Sequence, residues 1–470
     1  MILASAEVTS CLSTPKRRIV SDILLGPIVF HGLEADILET AELARLRHIK
    51  QLATVYFFHP NATHTRWDHS VGVAALVKSF ISAQRAFDIP IEDQLPLVAA
   101  ALLHDIGHSA WSHVGELFTQ MRGDTDGISH VQLSADLVTG VTKYDKHFDD
   151  WGLPRVREII TEKSQRMMIA ELMAGRAPVV PQDLDRPLDE ATRTRKIKEK
   201  AYLGNIVRGP ASFDIAEYLM RDSFMTQSGL GLVNARRLIE ETGIVQTEAK
   251  SRILSFLSLN FAECMILSGE QLFEGVYLET RNLITEELMR RALMKVYEPG
   301  TDIFDFWFST DEDVLATFHK FTEEHKDPFI DRVSKLFNAR QTYGVVGEVN
   351  LQERLDDHVR RNIRSLGSKA GRHRILDLER DVSSDLRIPQ DDIVIGCLKW
   401  EIPDIYDAAV RIGQRDSTVE VESRLLEVLG TEAYANSRSR LVVGAWKDVS
   451  VDKSKIMEAT LYRLRTSDYT

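Results

Sequence analysis

Residues 63–77 read THTRWDHSVGVAALV and residues 102–113 read LLHDIGHSAWSH. In the first stretch two histidines, an arginine and an aspartate open an apolar run. In the second, His104 and Asp105 are adjacent near the end of an apolar segment, 95–107, that reads as a buried helix ended by Gly107. Adjacent residues on a helix point about 100° apart. They reach one ion only if it lies beside the helix, so other helices must supply further donors. His69 can add an imidazole from the preceding helical segment, 68–87. Asp214 can add a carboxylate, because FDIAEYLMRD (213–222) sets an acidic residue in an apolar helical pattern. Two imidazoles and two carboxylates suit Mn²⁺, Fe²⁺, Zn²⁺ or Mg²⁺. An HD dipeptide is nonetheless common, and a lone histidine more often caps or packs a helix. Against that, Asp105 would be a buried carboxylate, which is costly unless paired or bound to metal. On chemistry alone both readings stay open.

Working outward, most of the chain has helical rhythm. ETAELARLRHIKQLATVYFF (39–58) spaces Leu43, Leu46, Ile49 and Leu52 along one stripe, which predicts an amphipathic helix. Segments 212–225 and 267–297 continue the pattern. The polar segment 175–200 reads as a loop or insertion ending in a basic run. The texture changes after about residue 345. IPQDDIVIGCLKWEIP (388–403) and SRLVVGAWKDVSV (439–451) are strand candidates, and 452–464 is helical. The expected fold is mainly α: a helical body over 1–345, then a smaller mixed α/β region over 346–470, assigned to regulation or oligomerisation.

The 470 residues are 44% hydrophobic and 27% charged, an ordinary globular composition with mass for a large core. The formal net charge of −12 argues against a general polyanion-binding surface. Cys11, Cys264 and Cys397 are far apart with no CxxC pair, which fits a reduced, cytoplasmic chain without a zinc finger. The N-terminal stretch lacks a signal-peptide pattern. No apolar run approaches the ~20 residues of a membrane span.

The motifs resemble the HD-domain superfamily, with its H…HD…D pattern. More narrowly they are similar to the deoxynucleoside triphosphate triphosphohydrolases related to the sterile-alpha-motif and HD-domain enzyme of animals. The stretches that carry the resemblance are ETAELARLRHIKQL (39–52), HTRWDHSVGV (64–73), LLHDIGHSAWSH, SHVQLSADLV (129–138) and FDIAEYLMRD, with weaker matches at 272–284 and 388–395. They run in family order over most of the chain, and no sterile-alpha-motif domain is present. The resemblance implies an α-helical HD phosphohydrolase core with His69, His104, Asp105 and Asp214 as ligands of a divalent metal. It places Arg66 against phosphate, a role the guanidinium fork suits. The alternative is a salt bridge to Asp68 or to another helix. His108, His113 and His130 fall on active-site histidines, with His113 as general acid and Glu116 orienting it. Gln51 and Leu52 lie beside the sugar, Tyr277 beneath it, and Tyr218 and Asp222 along the pocket. Read from the residues alone, Leu52 and Tyr277 would be core.

Two departures stand out. Ile215 replaces a lysine the family often has after the last metal aspartate, and Gly269 or Glu270 falls where a phosphate-binding arginine is expected. At the family's allosteric guanine site Glu39 and Arg47 fit, but Ala44 replaces a glutamine. The basic stretch VRRNIRSLGSKAGRHR (359–374) reads as a loop, its glycines breaking any helix. It could bind a regulatory nucleotide or nucleic acid, or be a solvated face. The expected activity is metal-dependent hydrolysis of deoxynucleoside triphosphates to deoxynucleoside and inorganic triphosphate, under nucleotide regulation, in a homo-oligomer. The rivals are a phosphatase or phosphodiesterase of the same fold acting on other nucleotides or nucleic acid, and a non-catalytic nucleotide sensor.

Overall fold

The computed structural model describes residues 16–83, 89–123, 129–176, 200, 202–209, 211–246, 252–298, 300–339, 343–351, 355–368, 371–398, 411–414, 417–420 and 439–469. Cys11, the N-terminal stretch and nearly all of the polar 175–200 segment lie outside them. The fold is mainly helical, with a smaller mixed α/β region at the C-terminal end. No helix among the described residues is long and apolar enough to cross a membrane.

The Arg66–Ala83 helix packs against Ile91–Leu103 and against Phe213–Thr226. Ile91–Leu103 is buried along most of its length, as its apolar sequence requires. It ends before the HD pair: His104 is its C-cap, and Asp105 lies in the turn that follows. Gly107 is therefore not the helix stop. It lies where the turn presses on the His130–Thr139 helix, and a Cβ there would meet the His130 carbonyl at 2.4 Å.

The expected helix over 39–58 is broken. Ala41–Arg45 is α-helical, Leu46–His48 and Ala53–Phe57 are 3₁₀ turns, and between them the chain is extended at Ile49 and turns at Gln51 and Leu52. That stretch meets residues 64–66 in an isolated antiparallel bridge, Lys50 opposite Thr65, with Gln51 N–H to the His64 carbonyl at 3.0 Å and Arg66 N–H to the Ile49 carbonyl at 2.9 Å. The stripe still predicted burial: Leu43, Leu46 and Ile49 are fully buried, while Leu52 is half-buried. Two hairpins were not expected in the helical body, Arg17–Asp22 with Gly26–His31 and Thr242–Gln246 with Arg252–Phe256.

The C-terminal region is built on an antiparallel sheet with Arg440–Ala445 between Gly344–Asn350 and Ile393–Leu398. Leu441, Val443 and Ala445 face an apolar cluster with the Asp357–Gly367, Ile375–Leu386 and Lys453–Thr466 helices. Val442 and Val394 alternate to the other face, into the cluster of the helical body. The basic 359–374 stretch is not a simple loop. Asp356 caps the Asp357–Gly367 helix, whose Val359, Ile363 and Leu366 are buried on one face.

Glu379 is buried beneath this sheet. Its carboxylate accepts the Ile395 N–H at 2.7 Å and faces Arg291 at 3.3 Å. Burial outweighs the attraction of Arg291 and raises its pKa to about 7. The folded value exceeds the unfolded one, so this stabilisation is full below about pH 4.5 and declines as pH rises to about 7. Against Glu379→Gln, the native protein should lose on the order of 1–3 kcal/mol across that window, read by urea titration at several pH values. An identical pH dependence in the two proteins would refute this.

Candidate metal centre and adjoining cleft

Three helical elements bring the predicted donors together. His69 Nε2 lies 3.3 Å from His104 Nε2 and 3.1 Å from Asp214 Oδ1. His104 Nε2 lies 3.4 Å from Asp105 Oδ1 and 3.6 Å from Asp214 Oδ1. Donor atoms around an ion at ~2.1 Å are separated by about these distances. The ligand atoms of His69, His104 and Asp105 all lie within 4.8 Å of one another.

The rings are oriented for this. His104 donates Nδ1–H to the Ala101 carbonyl at 2.9 Å, and His69 Nδ1 meets Glu217 at 2.5 Å. Each imidazole is thereby held with Nε2 toward the shared point, as a metal-binding histidine requires. Burial would lower the pKa of His69, but the carboxylates of Asp214 and Glu217 outweigh it and raise it to about 10. Asp105 and Asp214 are held far below the usual carboxylate range, because His104, Arg66 and His69 around Asp105, and His104 and His69 around Asp214, outweigh burial. Two ionised carboxylates and two fixed imidazoles fit a divalent ion.

Behind the donors runs a buried chain that the sequence reading missed. Arg221 Nε donates to Glu217 at 2.7 Å, and its Nη2 donates to Asp22 of the N-terminal hairpin at 2.8 Å. The helices must approach closely to close it. A Cβ on Gly72 would lie 2.0 Å from Glu217 Oε1.

Arg66 is 3% exposed and donates to Asp105 at 2.6 Å and to the Ser112 hydroxyl at 2.8 Å. It does not pair with Asp68, which instead accepts the Thr65 N–H at 2.8 Å. Ser112 follows Trp111, and both have positive φ, 54° and 58°. This strained turn starts the Ser112–Arg122 helix and leaves the His113 side chain 68% exposed. Glu116 Oε2 lies 3.5 Å from His113 Nδ1 and 3.0 Å from His130 Nδ1. Burial would raise the pKa of Glu116, but these two histidines pull it far below the usual range. His108 stacks on His130 with ring centres 3.9 Å apart. Burial, then the Arg66 charge, pushes the His108 pKa well down, and burial lowers that of His130 despite Glu116.

A cleft of about 290 Å³ opens beside these groups. Gln51, Leu52, Arg66, His113, Tyr218, Asp222 and Tyr277 all line it. Tyr277 ends a π-helical turn, Phe273–Tyr277, and donates its hydroxyl to Asp222 at 2.5 Å. His64, also missed, meets the other oxygen of Asp222 at 2.8 Å. Burial and the Asp222 charge raise the Tyr277 pKa well above its ordinary value. The two departures hold: Ile215 packs against the apolar core and Glu270 is buried. Glu39 pairs with Lys16 and Arg18, and Arg47 stacks on Trp67 at 3.5 Å.

Residues 66–201 match the family model of the HD domain. The chain carries an HD domain. Around it, 317 residues are 25% identical to an uncharacterized protein of Methanocaldococcus jannaschii, over 67% of this chain and 58% of that one. A stretch of 223 residues is 27% identical to the deoxynucleoside triphosphate triphosphohydrolase SAMHD1 homolog of Dictyostelium discoideum, over 46% of this chain and 38% of that one. The chain thus spans about half the length of these curated relatives. The crystal structure of a phosphohydrolase from Bacteroides thetaiotaomicron superposes with a TM-score of 0.64 at 19% identity, covering 92% of this chain and 100% of that one. That likeness concerns the fold. His69, His104 and Asp105 lie inside the HD domain match, whereas Asp214 follows it.

Glu217→Gln and Asp22→Asn should each weaken Mn²⁺ binding by roughly 10–100-fold, measured by calorimetric titration. Gly72→Ala should act in the same direction by separating the helices. Unchanged affinity in all three variants would mean that the buried chain does not position His69.

Proposed function

We propose that this protein is a metal-dependent phosphohydrolase that cleaves deoxynucleoside triphosphates to deoxynucleoside and inorganic triphosphate. The observation that carries the reading is the convergence of His69, His104, Asp105 and Asp214 beside a cleft lined by the residues expected to meet a nucleotide. A divalent ion held by those four residues would supply Lewis-acid stabilisation of charge on a phosphate oxygen and make water more acidic.

The chain's own groups do the rest. Arg66, anchored by Asp105 and Ser112, offsets negative charge building on the phosphate. Water adds to the α-phosphorus and gives up a proton to solvent, the bond to the 5′ oxygen breaks, and that oxygen takes a proton from the exposed His113, which regains one from solvent. Glu116 orients the His113 ring, and His108 and His130 wall the site. Tyr277 and Asp222 bind the sugar, with Tyr277 closing the space below it, while Gln51, Leu52 and Tyr218 complete its walls. Glu39 and Arg47 are proposed as part of a regulatory nucleotide site. Residues 346–470 are proposed as a regulatory or oligomerisation region of a homo-oligomer.

One observation favours a second reading, hydrolysis of a nucleotide with fewer phosphates. Among the described residues lining the cleft, Arg66 is the one lysine or arginine, while Asp222 and Glu286 add carboxylates. Product analysis separates the two. Pure protein given Mn²⁺ and an equimolar mixture of deoxynucleoside triphosphates should release deoxynucleoside and triphosphate, resolved by anion exchange. Stepwise loss of single phosphates would favour the second reading. No product under any activator would leave the sensor reading. His104→Ala should abolish turnover. His113→Ala should lower kcat by roughly 10²–10⁴-fold with a smaller effect on KM; an unchanged kcat would remove His113 as the acid.

A further inference from the structure

Glu116 does something a simple orienting carboxylate does not do: it meets two imidazoles at once. One oxygen, Oε2, faces the Nδ1 atoms of both His113 and His130, at 3.5 and 3.0 Å. The two rings are steeply tilted, 75° apart, with centres 5.8 Å from each other. Ligand atoms of His108, His113, Glu116 and His130 all lie within 4.8 Å of one another. None of the four belongs to the His69, His104, Asp105 and Asp214 set.

These separations bracket the edge of a tetrahedron drawn around an ion with donors at about 2.0–2.1 Å. The carboxylate is buried, with 8% exposure, and its other oxygen accepts the His130 N–H at 3.4 Å. It is thus fixed at its base and presents one oxygen between two nitrogens. His108 lies parallel to His130, at 13°, so the two rings cannot both aim a lone pair at one ion. It forms the wall between this cluster and the first centre, its Nε2 3.5 Å from Asp105 Oδ1.

We infer that His113, Glu116 and His130 form a second divalent-cation site, separate from the HD donors, that takes a transition metal such as Zn²⁺ or Co²⁺. Imidazole donors favour these ions over Mg²⁺. The fourth position is open to the cleft, because His113 stands at its rim. Occupation engages His113 Nδ1. On the reading of His113 as general acid oriented by Glu116, the ion takes Glu116 away from that ring, so Zn²⁺ in excess suppresses an activity that Mg²⁺ leaves intact.

The test needs no turnover. Full-length protein stripped with a chelator is titrated with Co²⁺, and uptake is followed by the visible absorption of four-coordinate cobalt. The native protein should bind one equivalent more than His113→Ala. That side chain is 68% exposed, so the substitution leaves the fold intact. His130→Ala should lose the same equivalent. His69→Ala should keep it while losing the HD equivalent. Equal uptake by the native protein and His113→Ala overturns the inference, as does loss of all uptake in His69→Ala. If the protein hydrolyses no nucleotide, the proposed function fails while the cobalt stoichiometry still decides this site.

Discussion

The structure depends most on the crossing of the Arg66–Ala83 and Phe213–Thr226 helices at Gly72. Helices normally pack 8–10 Å apart with side chains between them. Here the absence of a side chain at Gly72 lets the Glu217 carboxylate sit in the contact, fully buried. An isolated carboxylate there would be intolerable. It is balanced by His69 on one side and Arg221 on the other, and the surplus charge of Arg221 is met by Asp22. Removing one member of such a buried set costs roughly 3–5 kcal/mol, because its partner is left uncompensated. The seating of the N-terminal hairpin and the direction of the His69 ring are therefore one energetic problem.

A second constraint shapes the cleft. Trp111 and Ser112 both occupy the left-handed region, which costs a non-glycine residue on the order of 1–3 kcal/mol. Several contacts hold them there. Trp111 is fully buried and donates its N–H to Asp311 at 2.7 Å, and Asp311 also accepts the Lys50 N–H at 2.9 Å. The Ser112 hydroxyl donates to the Lys50 carbonyl at 2.7 Å while it accepts from Arg66. Arg45, fully buried, holds the preceding turn through the Ile106 and His108 carbonyls. The strain thus sits between the donor set and the cleft, where it turns His113 outward and fixes Arg66.

What could be read beforehand follows from this. The convergence of His69, His104, Asp105 and Asp214 was legible as a candidate donor set, because apolar helices rarely carry carboxylates and imidazoles without a use for them. The cleft residues came from resemblance, since Leu52 and Tyr277 have the periodicity of core residues and carry no chemical signal of their own. Glu217, Arg221 and Asp22 were hidden for a different reason. Each looks like an ordinary surface charge, and only the tertiary crossing buries them together. A clue was present in FDIAEYLMRD, where Asp214 and Glu217 are three residues apart and so share a helix face. The 39–58 segment shows the opposite failure. Its apolar spacing predicted burial correctly but not continuous helicity, because around Lys50 its backbone bonds to residues 64–66 and splits the segment into separate short turns.

Charge along the cleft then sets a direction for any bound nucleotide. In the cleft lining Arg66 presents a cation whose position is fixed by Asp105 and Ser112. Elsewhere in the lining Asp222 is spoken for, with one oxygen on His64 and the other on the Tyr277 hydroxyl. The Tyr277 pKa is raised, so this hydroxyl remains a neutral donor. The Asp222 carboxylate therefore disfavours phosphate beside it. On the proposed function, a nucleotide would place its phosphates toward Arg66 and the four donors and its sugar against Tyr277. The reverse orientation would set phosphate oxygens against the Asp222 carboxylate, with no lysine or arginine other than Arg66 among the described lining residues to offset them.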